Sequence, residues 1–241
     1  MCKLGSKILL TPLDIFFKCC RRLNCYYYLT GLILLLSIGI NCNAQDSLFN
    51  KRYGGASNES INDFLQLPCD DYLVIGSSSS FSASNDLLLM KINAGGDVLW
   101  SKTYGGTGSD VGSRLISVSG GNFLLAGMTT SWGPGSNLNN LLVKIDGSGN
   151  VLWARVYGTT ARQIIVDAIE DINGDYIVGA WNAPGDDPLI FKVDGNTGVL
   201  IWDELVMDNT GDNQIEEVIP APSGLGCIII GSANNTGSGG S

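Results

Sequence analysis

The sequence predicts an all-β fold, a partial β-propeller of about three and a half four-stranded antiparallel blades preceded by a signal peptide. Three observations carry that expectation. An apolar block ending in glycine recurs four times, at Gly76, Gly127, Gly179 and Gly231, with spacings of 51, 52 and 52 residues. Each of the three complete units holds four short runs of β-branched or aromatic residues separated by turn residues, the pattern of strands joined by hairpins. Gly, Ser and Asn together fill 75 of the 241 positions, a composition that favours turns and short strands over long helices. A single four-stranded meander cannot bury both of its faces, so the units must stack. Radial stacking gives a propeller in which a recurring tryptophan packs between blades.

Residues 1–44 read as the signal peptide. Five basic side chains, Lys3, Lys7, Lys18, Arg21 and Arg22, stand against one acid, Asp14, ahead of the uncharged 15-residue run from Tyr26 to Ile40. A membrane span needs about 20 apolar residues, whereas the core of a signal peptide takes about 7–15. Cys42 and Ala44 supply the small residues for cleavage after Ala44. Two alternatives stay open: acylation of Cys42 in a lipoprotein, with Asn41 where Gly, Ala or Ser is preferred, and an uncleaved membrane anchor. All three place residues 45–241 outside the cytoplasm, as an exported chain that is secreted, periplasmic or on the outer cell surface. Five of the seven cysteines lie in this segment. Cys69 and Cys227 remain, 158 residues apart, and are expected to act as separate small hydrophobes.

After the leader, residues 46–55 align with a fourth-strand block, Phe49 taking the place of a tryptophan. The first unit spans about 54–104 and closes on Val98-Leu99-Trp100-Ser101-Lys102-Thr103-Tyr104; the second, about 105–157, closes on Val151-Leu152-Trp153-Ala154-Arg155-Val156-Tyr157. A third, about 158–207, repeats the block more loosely around Trp202. Upstream of the tryptophans lie Leu88 to Asn93, Leu141 to Asp146 and Leu189 to Asp194, each with a lysine: Lys91, Lys144 and Lys192. Strands in the second unit are expected near 114–119, 122–130, 140–146 and 150–157, with Gly120-Gly121, Asp146-Gly147-Ser148-Gly149 and Asn173-Gly174 supplying the positive φ of tight hairpins. The partial unit, about 208–241, holds two strands near 214–220 and 226–233. With no third strand after it, the chain reads as a fragment or truncated frame of a longer protein, and the incomplete blade invites self-association.

The pattern of YGG, a glycine-ended apolar block, D-x-L-L-x-K-I and G-x-V-L-W-x-K-x-Y-G-G resembles the secreted bacterial β-propeller repeats of the SBBP type over about residues 46–241. That resemblance implies a structural module of exported, cell-surface proteins, with no catalytic activity attached. A weaker similarity, through Asp194 to Trp202, is to quinoprotein propellers. Enzymes of that class carry vicinal cysteines near the cofactor; residues 45–241 have none, so no cofactor is assigned.

The chain has no histidine, which excludes Ser-His-Asp and Cys-His systems, His-containing zinc sites and imidazole bases. A formal charge of −9 argues against nucleic acid, whose binders need clustered Lys and Arg. Phe81, Trp132 and Trp181 are placed in loops of one rim, where aromatics could stack on sugars or anchor a protein, or simply cover the core ends. Asp86, Asn139 and Asp187, each five residues before a repeated lysine, are expected to pair across strands. A repeated lysine is distributed around a ring and does not converge on one site, so none is assigned to catalysis. Asp171, Asn173 and Asp175 alternate oxygens as calcium sites do, but a hairpin at Asn173-Gly174 explains the same residues, and no metal is assigned. Asp186-Asp187 and Glu216-Glu217 read as solvated charges. The expectation is an exported, non-catalytic scaffold or binding module for a protein or carbohydrate at the cell surface; the alternative is a propeller enzyme, a carboxylate-based glycosidase or lyase or a quinoprotein relative.

Overall fold

The computed structural model describes residues 50–135, 137–158, 162–183, 187–205, 213–224 and 226–233. The leader with Cys42 and Ala44, residues 46–49 of the opening block, Asp186 and the tail after Ala233 lie outside them. The described residues form three four-stranded antiparallel sheets and one of two strands. Blade 1 holds β1 (Glu59–Gln66), β2 (Tyr72–Ser78), β3 (Asp86–Ile92) and β4 (Val98–Tyr104). Blade 2 holds β5 (Asp110–Val118), β6 (Asn122–Thr129), β7 (Asn139–Ile145) and β8 (Val151–Tyr157). Blade 3 holds β9 (Arg162–Glu170), β10 (Tyr176–Ala183), β11 (Asp187–Val193) and β12 (Leu200–Leu205), and the half blade holds β13 (Asn213–Pro220) and β14 (Cys227–Ala233). Each full sheet runs in chain order, a meander, and the four sheets make a partial propeller of about three and a half blades.

The middle strands of blades 2 and 3 lie between neighbouring sheets, and those of blade 1 between blade 2 and the Tyr53 segment, which is why their sequences are continuous apolar runs and do not alternate. Side chains still alternate in direction. Leu73, Ile75, Leu87 and Leu89 face blade 2, where they meet Leu115, Phe123, Leu125, Leu141, Val143 and Ile145. Val74, Leu88, Met90 and Ile92 face the other way, against Tyr53 and Tyr72. Between blades 2 and 3 the core runs from Leu124, Leu142 and Trp153 to Tyr176, Val178 and Phe191. Ile177 and Ile190 meet Ile215 and Val218 of the half blade.

The hairpins turn on Asx side chains, which mimic a backbone turn by accepting N–H groups two to four residues on. Asp146 Oδ1 accepts from Ser148 N and Asn150 N, and Asp194 Oδ1 from Asn196 N and Thr197 N. The turn between a blade's third and fourth strands also receives the preceding blade. Tyr104 Oη donates to Gly149 O at 2.8 Å, and Tyr157 Oη donates to Gly198 O. A Cβ on Gly149 would lie 3.0 Å from the Trp100 ring, and one on Gly198 2.8 Å from that of Trp153; both glycines have positive φ, so the ring packs on a turn that only glycine fits well. Trp153 is buried and donates Nε1–H to Gly195 O. Trp202, facing a half blade of two described strands, stays 39% exposed.

Residues 50–55 form no strand, yet they occupy the place of a fourth-strand block. Tyr53 Oη donates to Gly96 O and Lys51 Nζ reaches Asp97, as Tyr104 and Lys102 do to Gly149 and Asn150 one blade later. In the apolar block, a Cβ on Gly76, Gly127 or Gly231 would fall 1.9, 2.0 or 2.1 Å from a carbonyl oxygen (Ser60, Val111, Gln214) at the bulge of the blade's first strand. Gly179 is one residue out of that register. The bulge of β9 lies opposite Gly179 and Ala180, with Ala180 paired to Ile165, and a Cβ on Gly179 meets Val218 and Ile215 side chains instead.

Candidate binding face

In blades 1 and 2 the loop that follows the second strand lies against the one that enters the blade, and one repeated network ties them. Glu59, the first residue of β1, accepts from Gly55 N at 3.1 Å, from Ser78 Oγ at 3.1 Å and from Ser80 Oγ. Asp110, the first residue of β5, accepts from Gly106 N at 2.9 Å and from Ser131 Oγ at 2.6 Å. Ser57 N donates to Ser80 Oγ as Gly108 N does to Ser131 Oγ, and Ser80 N donates to Ser78 Oγ as Ser131 N does to Thr129 Oγ1. The hydrogen bonds to Glu59, from Ser80 first and then Gly55, hold its carboxyl below the usual carboxylate range, so the clamp is ionised at neutral pH.

The clamp fixes the residue that comes next. Phe81 follows Ser80 and Trp132 follows Ser131, and each ring leans on the second glycine of the entering YGG: a Cβ on Gly55 would sit 3.8 Å from Phe81 Cε1, and one on Gly106 2.9 Å from Trp132 Cζ2. Both rings remain open to solvent, 60% for Phe81 and 48% for Trp132. Phe81 also borders a groove of about 290 Å³ with Tyr53, Leu88, Met90 and Val98. Beside it lies a wider polar depression of about 340 Å³ lined by Asn58, Glu59, Ser60, Ser77, Ser79 and Asn85. Glu59 and Asp110 escaped the sequence reading, although an acid four residues past YGG in two successive units is a visible signal.

Trp181 is not in a loop with the other two aromatics. It lies within β10, paired with Pro188 and Ile164, and its ring receives the Arg162 guanidinium at 5.5 Å. In the sequence of the third unit, Asn182, Ala183 and Pro184 stand where the hydroxyl triplets 78–80 and 129–131 stand in the first two.

The repeated lysines find partners other than the expected ones. Lys91 pairs with Asp71 at 3.1 Å, and Lys192 with Asp171 at 2.8 Å and Asp175 at 3.0 Å. Lys144 is buried, donates to Gly195 O at 2.7 Å and lies 5.5 Å over the Tyr176 ring. Asp86 and Asn139 sit at the opposite ends of strands β3 and β7 from the lysines, and Asp187 opens β11. At the Asp171–Asp175 turn the Lys192 ammonium supplies the positive charge, and Asp171 Oδ1 accepts from Asn173 N and Asp175 N. Cys69 is exposed in a 3-10 turn at φ 70°, so it is no core hydrophobe; Cys227 is partly buried, and both stay as thiols.

No family model matches the chain, and no curated protein matches it, so the likeness to SBBP repeats rests on the motifs quoted above. Among solved structures, the crystal structure of a protein of unknown function from Bacteroides caccae is similar with a TM-score of 0.43 at 14% identity. The match covers 70% of this chain and 55% of that one, so the chain spans little more than half the length of that neighbour.

Proposed function

We propose that the chain is an exported, non-catalytic propeller scaffold whose loop face binds a carbohydrate at the cell surface. The observation that carries this reading is the pair Phe81 and Trp132, at one position in successive blades, half exposed and held by ionised or hydroxyl-bonded clamps. Exposed aromatic faces suit the apolar faces of sugar rings. The adjacent depression, lined by hydroxyl, amide and carboxylate groups, suits their hydroxyls. Preorganised aromatics lose little entropy on binding. A glycan array on the chain, with Trp132→Ala beside it, tests the reading. Binding of a defined glycan class that weakens in Trp132→Ala supports it. Turnover of a bound glycan would favour the propeller-enzyme alternative, and capture of a protein with no glycan bound would point to a protein anchor.

The half blade supports a second association. Ile228, Ile229 and Ile230 of β14 are exposed, although the matching residues of β2 and β6 are buried. The strand Cys227–Ala233 carries no charge to oppose pairing with the same strand of a second copy.

A further inference from the structure

Two carboxylates meet at the junction of blades 1 and 2 without a basic partner. Asp86 opens β3 and is 7% exposed; Asp110 opens β5 and is fully buried. Both press on Gly105, where a Cβ would fall 2.4 Å from Asp86 Oδ1 and 2.9 Å from Asp110 Oδ2, so these oxygens are no farther apart than those two lengths end to end. Among the described residues no Lys or Arg lies within 4.0 Å of either. Asp110 Oδ2 is used by Gly106 N and Ser131 Oγ, but Asp110 Oδ1 is buried and has no hydrogen-bond partner. Among the described residues Asp86 Oδ1 accepts from Ser84 Oγ, whose single proton is shared with Gly106 O.

The next junction shows that the fold does not need this charge. There Asn139 replaces Asp86, Gln163 replaces Asp110 and Gly158 replaces Gly105, its Cβ position 2.1 Å from Asn139 Oδ1. The register is the same: Asp110 N donates to Asn85 O, and Gln163 N to Leu138 O. Asn139 Nδ2 donates to Trp132 O and Asn137 O, carbonyls that a carboxylate at its position could not serve, while Asn139 Oδ1 is buried without a partner as Asp110 Oδ1 is. At the first junction, by contrast, the two buried carboxylates face each other with no basic side chain within 4.0 Å among the described residues.

We propose that the Asp86–Asp110 pair binds one calcium ion at the junction of the first two blades. The shell is built of oxygen alone: the two carboxylates, the Ser84 and Ser131 hydroxyls and the Gly106 carbonyl. That is the donor set of a hard cation, and its irregular loop geometry suits calcium better than octahedral magnesium.

The test is calcium titration of the chelator-treated full chain by calorimetry, with thermal melts in parallel. One site per chain and a melting temperature that climbs with calcium are expected. The double variant Asp86→Asn/Asp110→Gln recreates the amide pair of the second junction, so it folds; its calcium affinity falls at least a hundredfold and its melting ceases to depend on calcium. No binding at millimolar calcium would overturn the proposal. An equal calcium response in the double variant, or an equal response of the wild type to magnesium, would also overturn it.

Discussion

Gly127→Ala probes the contact on which each blade's first hairpin depends. A Cβ at this position would lie 2.0 Å from Val111 O and 3.0 Å from its carbonyl carbon. Backbone cannot rotate away as a side-chain end can, so the methyl must push β5 and β6 apart at the bulge between Gly112 and Arg114. That strands one or two buried backbone groups, each costing about 1–3 kcal/mol, so the total comes to roughly 3 kcal/mol. Gly179→Ala is the control. Its methyl meets Val218 Cγ2 at 2.6 Å and Ile215 Cγ2 at 3.2 Å, side-chain atoms that can shift, and overpacking of that kind costs about 1–2 kcal/mol. Urea unfolding followed by circular dichroism reads both variants. With a slope of about 2 kcal/mol per molar, Gly127→Ala lowers the midpoint by roughly 1.5 M and Gly179→Ala by about half of that. A midpoint for Gly127→Ala within the error of wild type, or a larger loss for Gly179→Ala, would refute the close-approach argument.

Three further outcomes follow from the same contacts. Tyr104→Phe removes the hydroxyl that bonds Gly149 O and destabilises by about 1 kcal/mol in urea unfolding; burial, and then the nearby Asp146, push the native Tyr104 phenol up to about 12, so its contribution is full below pH 10 and is lost as the pH rises toward 12, which ultraviolet titration detects. At Asp171, burial acts to raise the carboxyl but is outweighed by hydrogen bonds from Lys192, Asp175 N and Asn173 N, so its pKa is lowered; its contribution is full above the ordinary value of 3.8 and disappears as the pH falls through the lowered one, and Lys192→Met flattens this acid limb of a melting-temperature profile. Ile229→Lys places a charge on the exposed strand β14 and lowers the sedimentation coefficient if copies pair through it, whereas an unchanged, monomeric coefficient in wild type and variant contradicts that pairing.

The blade architecture was legible because its signals are local and repeated. Strand runs, Asx turns and the Trp-to-glycine spacing each sit within a few residues, and repetition removes the ambiguity of any one copy. Pairing across strands was less legible. Asp86 and Lys91 share one seven-residue strand, and a strand rises about 3.3 Å per residue with alternating faces, so five residues put them at opposite ends and on opposite sides. The lysine's real partner, Asp71, sits in the hairpin before β2. The block glycine slipped by one in the third unit because Tyr176 aligns with Tyr72 and Phe123, which puts Ala180, not Gly179, at the bulge. Trp181 stands one residue past the bulge position, inside β10, whereas Phe81 and Trp132 stand five past theirs. The clamps at Glu59 and Asp110 were hidden because their serine partners lie about 20 residues away, across a hairpin.

The measurement that tests the central claim most directly is calorimetric binding of the best glycan from the array to wild type and to the Phe81→Ala/Trp132→Ala double variant. The two rings are half exposed, so the double variant keeps its melting temperature within the narrow range expected of surface changes. The account predicts at least a hundredfold weaker binding at unchanged stability. Binding retained within twofold in the folded double variant would contradict it.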